Sequence, residues 1–280
     1  MPGFWPMFEH SPEVALNYRD TGGYQEQGDP VLLIHGVGSD LESWDGVLSH
    51  LSPDRRYIRF DLRGHGASRR TPGPYSLNGL AEDAVALLDH LEVSSASVIG
   101  FSLGGLIAQA IALNHPDRVR SLTLVSSVGG RTPEEQARVN ERAETLARDG
   151  ALTHLANAVD RWFTPEFVAA HPEVLEARRQ KSLKNDPDCY VAAYRVLAGN
   201  DLGDELHRVT APALVMTGEN DIGSSPRMSE FMAAQIPDAR LHILPRLKHS
   251  VLLEAPDQVA ALIEPFLAAH GGVTEKTQDT

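Results

Sequence analysis

Cysteine is almost absent from this chain of 280 residues, which has only Cys189. An intrachain disulfide is therefore impossible, and no cysteine framework points to secretion. Long apolar stretches are missing as well, since no run approaches the 18 or more residues of a membrane span. Positive charge is scarce, because 25 Lys and Arg face 38 Asp and Glu, for a formal net charge of −13 at pH 7. This charge disfavours nucleic acid and an anionic membrane surface as partners.

Sequence signals for cofactors, metals and export are missing too. No cluster has metal-ligand spacing and no G-x-G-x-x-G follows a strand, so we expect no cofactor and no metal. The segment MPGFWPMFEHSPE has two early prolines and no basic region, which predicts no signal peptide. We expect a cytoplasmic protein that acts on a small molecule, with a disordered polar tail over 272–280. The sequence leaves open whether the chain forms a homo-oligomer.

What the sequence does contain is a regular alternation of apolar, β-rich runs and helical patterns. The strand-like runs are continuously apolar, which indicates a parallel sheet covered by helices on both faces. The fold class is therefore α/β, with a mostly parallel, doubly wound sheet whose site lies beyond the carboxyl ends of the strands. The predicted strands are 14–20, 30–36, 57–64, 96–100, 119–127, 212–221 and 239–246.

Strand-like runs disappear between Gly129 and about Leu206. This segment has helical patterns and is interrupted by prolines at 133, 165, 172 and 187. Because it leaves from the carboxyl end of a strand, we predict a helical lid over 129–206, inserted into a core made of 1–128 plus 207–271. A peripheral decoration is the alternative interpretation.

The segment SASVIGFSLGG places Ser102 between a buried strand and a helix with apolar residues at three- and four-residue spacing. Gly100 and Gly104 flank it, which fits G-x-S-x-G, the nucleophile elbow whose tight turn exposes a reactive hydroxyl. The motif alone is weak, because it arises by chance in about one chain in ten of this length. A serine that only caps the helix is the alternative.

A base and an acid for Ser102 are available at the same edge of the sheet. His249 follows the last predicted strand by a short loop, and histidine titrates near neutral pH, as a general base requires. Asp221 closes the strand 212–221 and is placed to orient the imidazole. Glu219 is the reserve candidate for the acid. The alternatives are a surface-loop histidine and an aspartate in a turn.

Two backbone N–H groups are predicted to stabilise an oxyanion, those of Leu103 and of Val37 in the segment HGVGSD. Gly36 lets the backbone turn toward the site and is a predicted substrate contact. Trp44 and Trp162 are candidates for lining an acyl pocket, although core packing is the commoner role of a large aromatic residue.

Arginines in or beside the lid are candidates to pair with a substrate carboxylate, namely Arg131, Arg161 and Arg195. Solvated surface arginine is the alternative for each. Asp61 and the segment 63–66 are expected to form a structural turn beneath the site. His35 is expected to make a structural hydrogen bond under the neighbouring loop rather than to act as a base.

Taken together, these residues resemble the α/β-hydrolase superfamily over about 14–270. The motifs are HGVGSDLESWDGVLSHL, FDLRGHGAS, GFSLGG, MTGEND and KHSVLLEAP, and the order Ser102, Asp221, His249 along the chain is that of the superfamily. The chain is most similar to 3-oxoadipate enol-lactonases and related ring-fission-product hydrolases and carboxylesterases, through RGHGAS, GPYSLNGLAEDAVALLDHLEV, GFSLGGLIAQ, RWFTPEF and NDPDCY. The resemblance implies an α/β-hydrolase fold, with Ser102 as nucleophile, Asp221 as acid and His249 as base. It implies the same oxyanion donors, Val37 and Leu103.

The expected function is that of a serine hydrolase that cleaves a carboxylic ester or enol-lactone through an acyl-enzyme. Hydrolysis of a C–C bond or a small amide on the same triad is an alternative, because one scaffold hosts many reactions. Dehalogenase and epoxide-hydrolase chemistry is disfavoured, since those relatives carry a carboxylate at the position of Ser102. A non-catalytic small-molecule binding protein or receptor is the alternative from another class, and the filled triad disfavours it.

Overall fold

The computed structural model describes residues 6–22 and 30–270. Its strands are β1 (Met7–Ser11), β2 (Val14–Asp20), β3 (Pro30–Ile34), β4 (Arg56–Phe60), β5 (Ala96–Phe101), β6 (Val119–Val125), β7 (Ala213–Gly218) and β8 (Ala239–Leu244). They form one sheet in the order β1-β2-β4-β3-β5-β6-β7-β8. The pairs β1–β2 and β2–β4 are antiparallel, and all other pairs in this sheet are parallel.

Helices cover both faces of this sheet. They are α1 (Asp45–Leu48), α2 (Leu77–His90), α3 (Leu103–Asn114), α4 (Pro133–Trp162), α5 (Pro165–Ala170), α6 (Pro172–Lys184), α7 (Pro187–Gly199), α8 (Pro226–Gln235), α9 (Val251–Glu254) and α10 (Pro256–His270), with short 3-10 helices at Leu41–Trp44, Pro116–Arg118 and Gly203–Arg208. Residues of α2, α3 and α8 share one core cluster. Residues of α1 and α10 share a second cluster on the opposite face.

The central strand β3 shows why the apolar runs are continuous. Leu32 and Ile34 belong to the first core cluster, whereas Val31 and Leu33 belong to the second. Because successive side chains point to opposite faces, a strand covered on both sides has to be apolar at every position. This packing confirms the predicted doubly wound α/β architecture.

The predicted strands correspond to β2 through β8, but the sequence missed β1. That strand lies at the antiparallel edge and is largely exposed, so its residues MFEHS lack the continuous apolar pattern. Several predicted strands also extend too far at their carboxyl ends; the predicted 57–64 ends at Phe60 and the predicted 212–221 at Gly218. The residues after these ends leave the sheet and form the loops of the site.

Four helices, α4 to α7, connect β6 to β7 within the segment predicted to be a lid. The prolines at 133, 165, 172 and 187 each occupy the first position of one of these helices. Proline is favourable there, because its missing N–H would have no partner within the helix and its φ is already helical. Helix α4 breaks at Gly150, where φ is 80°. The predicted tail, 272–280, lies outside the described residues.

Candidate active site

The turn between β5 and α3 presents Ser102 in a conformation that side chains seldom adopt, with φ 53° and ψ −114°. A Cβ on Gly100 would lie 2.2 Å from the carbonyl oxygen of Gly104, and one on Gly104 would lie 2.1 Å from that of Ile34. Both flanking positions therefore require glycine. The Ser102 hydroxyl makes no capping hydrogen bond to α3. The turn thus has the geometry of a nucleophile elbow rather than of a serine helix cap.

A buried carboxylate orients the imidazole of His249. Asp221 is 2% exposed, and its Oδ2 lies 2.7 Å from His249 Nδ1. The same oxygen accepts a hydrogen bond from Thr217 Oγ1 at 3.1 Å. Asp221 Oδ1 accepts two more, from the backbone N–H groups of Gly223 (2.8 Å) and Ser224 (2.9 Å). These contacts fix the position of the Asp221 carboxylate, which in turn fixes the orientation of the His249 imidazole.

The reserve candidate, Glu219, has a different partner. Its Oε2 accepts a hydrogen bond from the backbone N–H of Arg246 at 2.8 Å, so it stabilises the turn after β8. The backbone carbonyl of His249 is itself held, by the hydroxyl of Ser126 at 3.1 Å. Ser126 follows β6 and has a φ of 46°. The loops after β6, β7 and β8 therefore meet at His249.

Parallel pairing brings the loop after β3 next to the elbow. β3 and β5 are direct neighbours in the sheet, so Gly36 and Ser102 emerge side by side. A Cβ on Gly36 would lie 3.2 Å from Ser102 Cβ. Gly36 and Val37 line the same cavity as Ser102. Leu103 begins α3, where backbone N–H groups have no partner within the helix.

Two buried histidines support this loop from below. His35 Nε2 accepts a hydrogen bond from the N–H of Leu62 at 3.0 Å, and its Nδ1 lies 2.7 Å from the carbonyl oxygen of Gly36. His65 Nε2 accepts from the N–H of Gly38 at 3.0 Å. Burial lowers the pKa of each histidine to about 4. Both are therefore neutral and structural, which agrees with the expectation for His35.

The turn after β4 is organised around Asp61. This buried carboxylate accepts hydrogen bonds from the N–H of Leu41 (2.8 Å), the N–H of Ala67 (2.9 Å) and the amide of Asn17 (2.7 Å). Burial raises its pKa. Gly66 has a φ of 52°, and a Cβ there would lie 2.2 Å from an Asp61 oxygen. These contacts connect β2, the loop after β3 and the 61–68 turn beneath the site.

A cavity of about 190 Å³ opens above Ser102 and His249, between the sheet edge and the α4–α7 helices. One water molecule needs roughly 10–15 Å³ of cavity volume, so this cavity is large enough for a small metabolite. Trp162, the last residue of α4, lines it, as do Gly36 and Val37. The backbone carbonyl of Trp162 accepts a hydrogen bond from the N–H of Ser250 at 2.9 Å, which ties α4 to the His249 loop.

Comparison with known proteins agrees with this fold. A family model described as alpha/beta hydrolase fold matches residues 29–256. The chain belongs to the alpha/beta hydrolase family.

Three relatives show how closely this alpha/beta hydrolase matches known members. It is 31% identical over 256 residues to 3-oxoadipate enol-lactonase 2 of Acinetobacter baylyi, covering 91% of this chain and 94% of that protein. It is 30% identical over 267 residues to the pimeloyl-[acyl-carrier protein] methyl ester esterase of Nitrosomonas europaea, covering 90% and 99%. The crystal structure of the enol-lactonase from Burkholderia xenovorans is similar to it with a TM-score of 0.86 at 28% identity, covering 94% and 100%. The chain is therefore an enzyme of this family, and its predicted fold is confirmed.

The position of Trp44 in this alpha/beta hydrolase contradicts the prediction that it lines an acyl pocket. Instead of lining the cavity with Trp162, its side chain is fully buried in the second core cluster, against α1 and α10. The residue lies in the short 3-10 helix that precedes α1, and that helix turns its apolar side toward the core. Trp44 is a packing residue, which is the commoner role of a large aromatic.

Positive charge is concentrated at the cavity of this alpha/beta hydrolase. The cationic residues that line it are Arg131, Arg142, Arg161, Arg178 and Lys181. Arg195, a further candidate from the sequence, is exposed on α7 instead. The guanidinium of Arg131 is used structurally, donating to the carbonyl oxygens of Asn200 and Leu197 at 2.8 Å each. Lys181 pairs with Asp40 at 2.6 Å.

The cavity-lining residues that sequence reasoning missed include Arg142, His154 and Arg178. The spacing of His154 and Arg161, seven residues apart in α4, places them on one helical face and was an available signal. No such signal marked Arg178, because Arg179 stands next to it in α6 and the sequence does not show which of the two faces the cavity.

Within 6–22 and 30–270, no group of three or more His, Cys, Asp or Glu side chains is arranged to hold a metal ion. Over the same part of the chain, no helix combines the length and the apolar character needed to cross a bilayer.

Proposed function

We propose that this protein is a serine hydrolase of small carboxylic esters or enol-lactones, with Ser102, His249 and Asp221 as its catalytic triad. The observation that carries the proposal is the 2.7 Å hydrogen bond from His249 Nδ1 to the buried Asp221, in a cavity that also contains the elbow serine. A binding protein would have no need of a serine with a strained backbone in the same cavity as an oriented imidazole.

In the first half of the reaction, the Ser102 Oγ–H bond breaks and its proton moves to His249 Nε2 as Oγ attacks the substrate carbonyl carbon. The carbonyl oxygen becomes an oxyanion, stabilised by the N–H groups of Val37 and Leu103. The leaving alkoxide or enolate then takes the proton from His249, and an acyl-enzyme remains.

Water completes the cycle. His249 Nε2 accepts a proton from the water molecule as its oxygen attacks the acyl carbon. The second tetrahedral intermediate collapses, Ser102 leaves with the proton from His249, and the carboxylic acid is released. Throughout, the Asp221 carboxylate accepts a hydrogen bond from His249 Nδ1 and stabilises the imidazolium that forms twice per turnover.

The choice of an ester or lactone rests on the relatives and on the lining of the cavity. Two of the relatives are, by name, an enol-lactonase and a methyl ester esterase. The cavity is small and has apolar walls near the elbow, including Phe101, Val128 and Leu252. These walls suit a short acyl chain.

The test is hydrolysis of 4-nitrophenyl acetate to octanoate, an enol-lactone, a vinylogous diketone acid and a small amide. Ser102→Ala and His249→Ala serve as the active-site variants, and a fluorophosphonate reports covalent labelling of Ser102. We expect Ser102-dependent turnover of an ester or of the lactone, and no labelling of Ser102→Ala. Turnover confined to the diketone acid or the amide would replace the proposal by the C–C or amide reaction. No turnover and no labelling would leave a binding protein.

A further inference from the structure

The loop after β3 carries Val37 inside a tight turn. The N–H of Ser39 donates to the carbonyl oxygen of Gly36 at 3.2 Å, which closes a four-residue turn around Val37 and Gly38. Gly38 has a φ of 70°, a conformation that favours glycine. Within the described part of the chain, the N–H of Val37 makes no hydrogen bond, so it can donate to an oxygen atom of the substrate.

The corner between α6 and α7 packs directly on this turn. Asn185, the residue after α6, donates from Nδ2 to the carbonyl oxygen of Gly38 at 3.3 Å. The ring of Tyr190 is buried against the same glycine, since a Cβ on Gly38 would lie 2.8 Å from Tyr190 Cζ. The N–H of Gly38 donates to His65, which belongs to the turn after β4. Gly38 is therefore fixed both by the 61–68 turn and by the helices between β6 and β7.

An ion pair connects α6 to the same loop. Lys181 Nζ lies 2.6 Å from Asp40 Oδ2, two residues after Gly38. The N–H of Asn185 donates to the carbonyl oxygen of Lys181 at 3.2 Å, so the two side chains, four residues apart, project from one side of the end of α6. This side of α6 contacts the loop at both position 38 and position 40.

The corner that carries Asn185 is itself well fixed. Asp186 accepts a hydrogen bond from the N–H of Cys189 at 3.0 Å and caps α7. Pro187 occupies the first position of α7 and restricts the residue before it to an extended backbone, which Asp186 has, with φ −67° and ψ 124°. A side chain on a fixed corner can hold a loop in one position, because its own position is determined by the elements around it.

We propose that Asn185 is a positioning residue for the oxyanion hole, because it fixes Gly38 and thereby the direction of the neighbouring Val37 N–H. Tyr190 and Lys181 support the same loop. The inference rests on the proposed function and gives the helices between β6 and β7 a role in catalysis besides covering the cavity. Such positioning matters, since a misplacement of about 1 Å can cost about 100-fold in rate.

The kinetic test replaces Asn185 by leucine, which keeps the size of the side chain and removes the donor. We expect kcat for 4-nitrophenyl acetate to fall roughly tenfold with little change in KM, because complete loss of an oxyanion donor costs about 100- to 1000-fold and this change only displaces one. Asn185→Asp removes the donor in a second way and should lower kcat as well. Asn157→Leu, at an exposed asparagine of α4, is the matched control and should leave kcat unchanged.

Two ketones distinguish a displaced oxyanion donor from a general loosening of the cavity. Ser102 Oγ adds to the carbonyl carbon of butyl trifluoromethyl ketone, its proton moves to His249, and the ketone oxygen becomes an oxyanion with no group leaving. Butyl methyl ketone is less electrophilic and reports binding without this adduct. In Asn185→Leu, the inhibition constant of the trifluoromethyl ketone should rise by the factor by which kcat falls, and that of butyl methyl ketone should stay unchanged. Equal weakening of both ketones, or unchanged kcat in both Asn185 variants, would overturn the positioning role.

Hydrogen exchange separates the positioning role from the proposed reaction. The N–H groups of Gly38, Ser39 and Leu41 are hydrogen-bonded within the loop or to its supports, so their exchange reports how firmly the loop is held. By mass spectrometry, a peptide covering 36–44 should exchange faster in Asn185→Leu than in the unaltered protein or in Asn157→Leu. Unchanged exchange would refute the positioning role, whatever is turned over. Faster exchange, together with no Ser102-dependent turnover of any ester, would keep the contact between Asn185 and the loop and refute the proposed function.

Discussion

Replacing Asp221 by asparagine gives the sharpest test of the triad, because the variant preserves shape and changes only the charge and the hydrogen-bond chemistry of one side chain. The carboxylate accepts four hydrogen bonds, and an amide has one oxygen to accept them. Two backbone N–H groups, of Gly223 and Ser224, point at one side of residue 221. The amide oxygen is therefore expected there, with the amide NH2 facing His249 Nδ1. The proton of His249 then moves to Nε2, which can no longer accept the Ser102 proton.

The expected loss in kcat at neutral pH is about 10⁴-fold, the size seen when a triad histidine is held in the wrong tautomer. This corresponds to roughly 5 kcal/mol in activation free energy. KM should change little, since the cavity keeps its shape. The assay is 4-nitrophenyl acetate hydrolysis together with the rate of fluorophosphonate labelling, and the thermal midpoint of unfolding verifies that the variant is folded.

Glu219→Gln is the matched control, an acid-to-amide change two residues away. Its carboxylate accepts the N–H of Arg246 at a turn, and an amide oxygen can do the same. We expect kcat within about threefold of the unaltered enzyme, as for a change away from the chemistry. Substantial activity in a folded Asp221→Asn, or an equal loss in Glu219→Gln, would refute the reasoning that assigns the acid to Asp221.

Three further predictions concern the scaffold. Gly104→Ala should destabilise the protein by roughly 3 kcal/mol or more in urea unfolding, because its Cβ would lie 2.1 Å from a carbonyl oxygen of β3. The control is Gly199→Ala, which has no neighbour within 4 Å and should be neutral or slightly stabilising. Equal losses of stability in the two variants would contradict this prediction. His35 and His65, with pKa values lowered to about 4 against about 6.5 in the unfolded chain, bind fewer protons when folded. Their contribution to stability is therefore full above pH 6.5 and is lost as the pH falls toward 4. These two histidines should lower the unfolding free energy by about 4 kcal/mol between pH 7 and pH 5; a flat or rising profile would count against this. Trp44→Phe should lower the thermal midpoint of unfolding and leave KM unchanged, since the indole lies in the core. A raised KM at an unchanged midpoint would show that Trp44 contacts the substrate instead.

Local sequence determined much of this protein. The elbow motif is visible in six residues, and its first glycine is required locally, because a Cβ on Gly100 would lie 2.2 Å from the carbonyl oxygen of Gly104. Continuous apolar runs are required wherever a strand is buried on both faces, so the strands from 14 onward were predictable. Prolines between 129 and 206 mark helix starts, since the first position of a helix needs no N–H. These features depend on neighbours in the chain, which a sequence displays.

Only the tertiary structure decided between residues of the same type. Asp221 and Glu219 both follow β7, but the folded backbone directs the first toward His249 and the second toward Arg246. Trp44 packs in the core, because its short helix contributes to the second core cluster, whereas Trp162 at the end of α4 lines the cavity. His154 and Arg178 come from different helices and meet at one cavity through packing alone. Such contacts depend on how the elements pack in three dimensions, so they cannot be predicted from the spacing of residues along the chain.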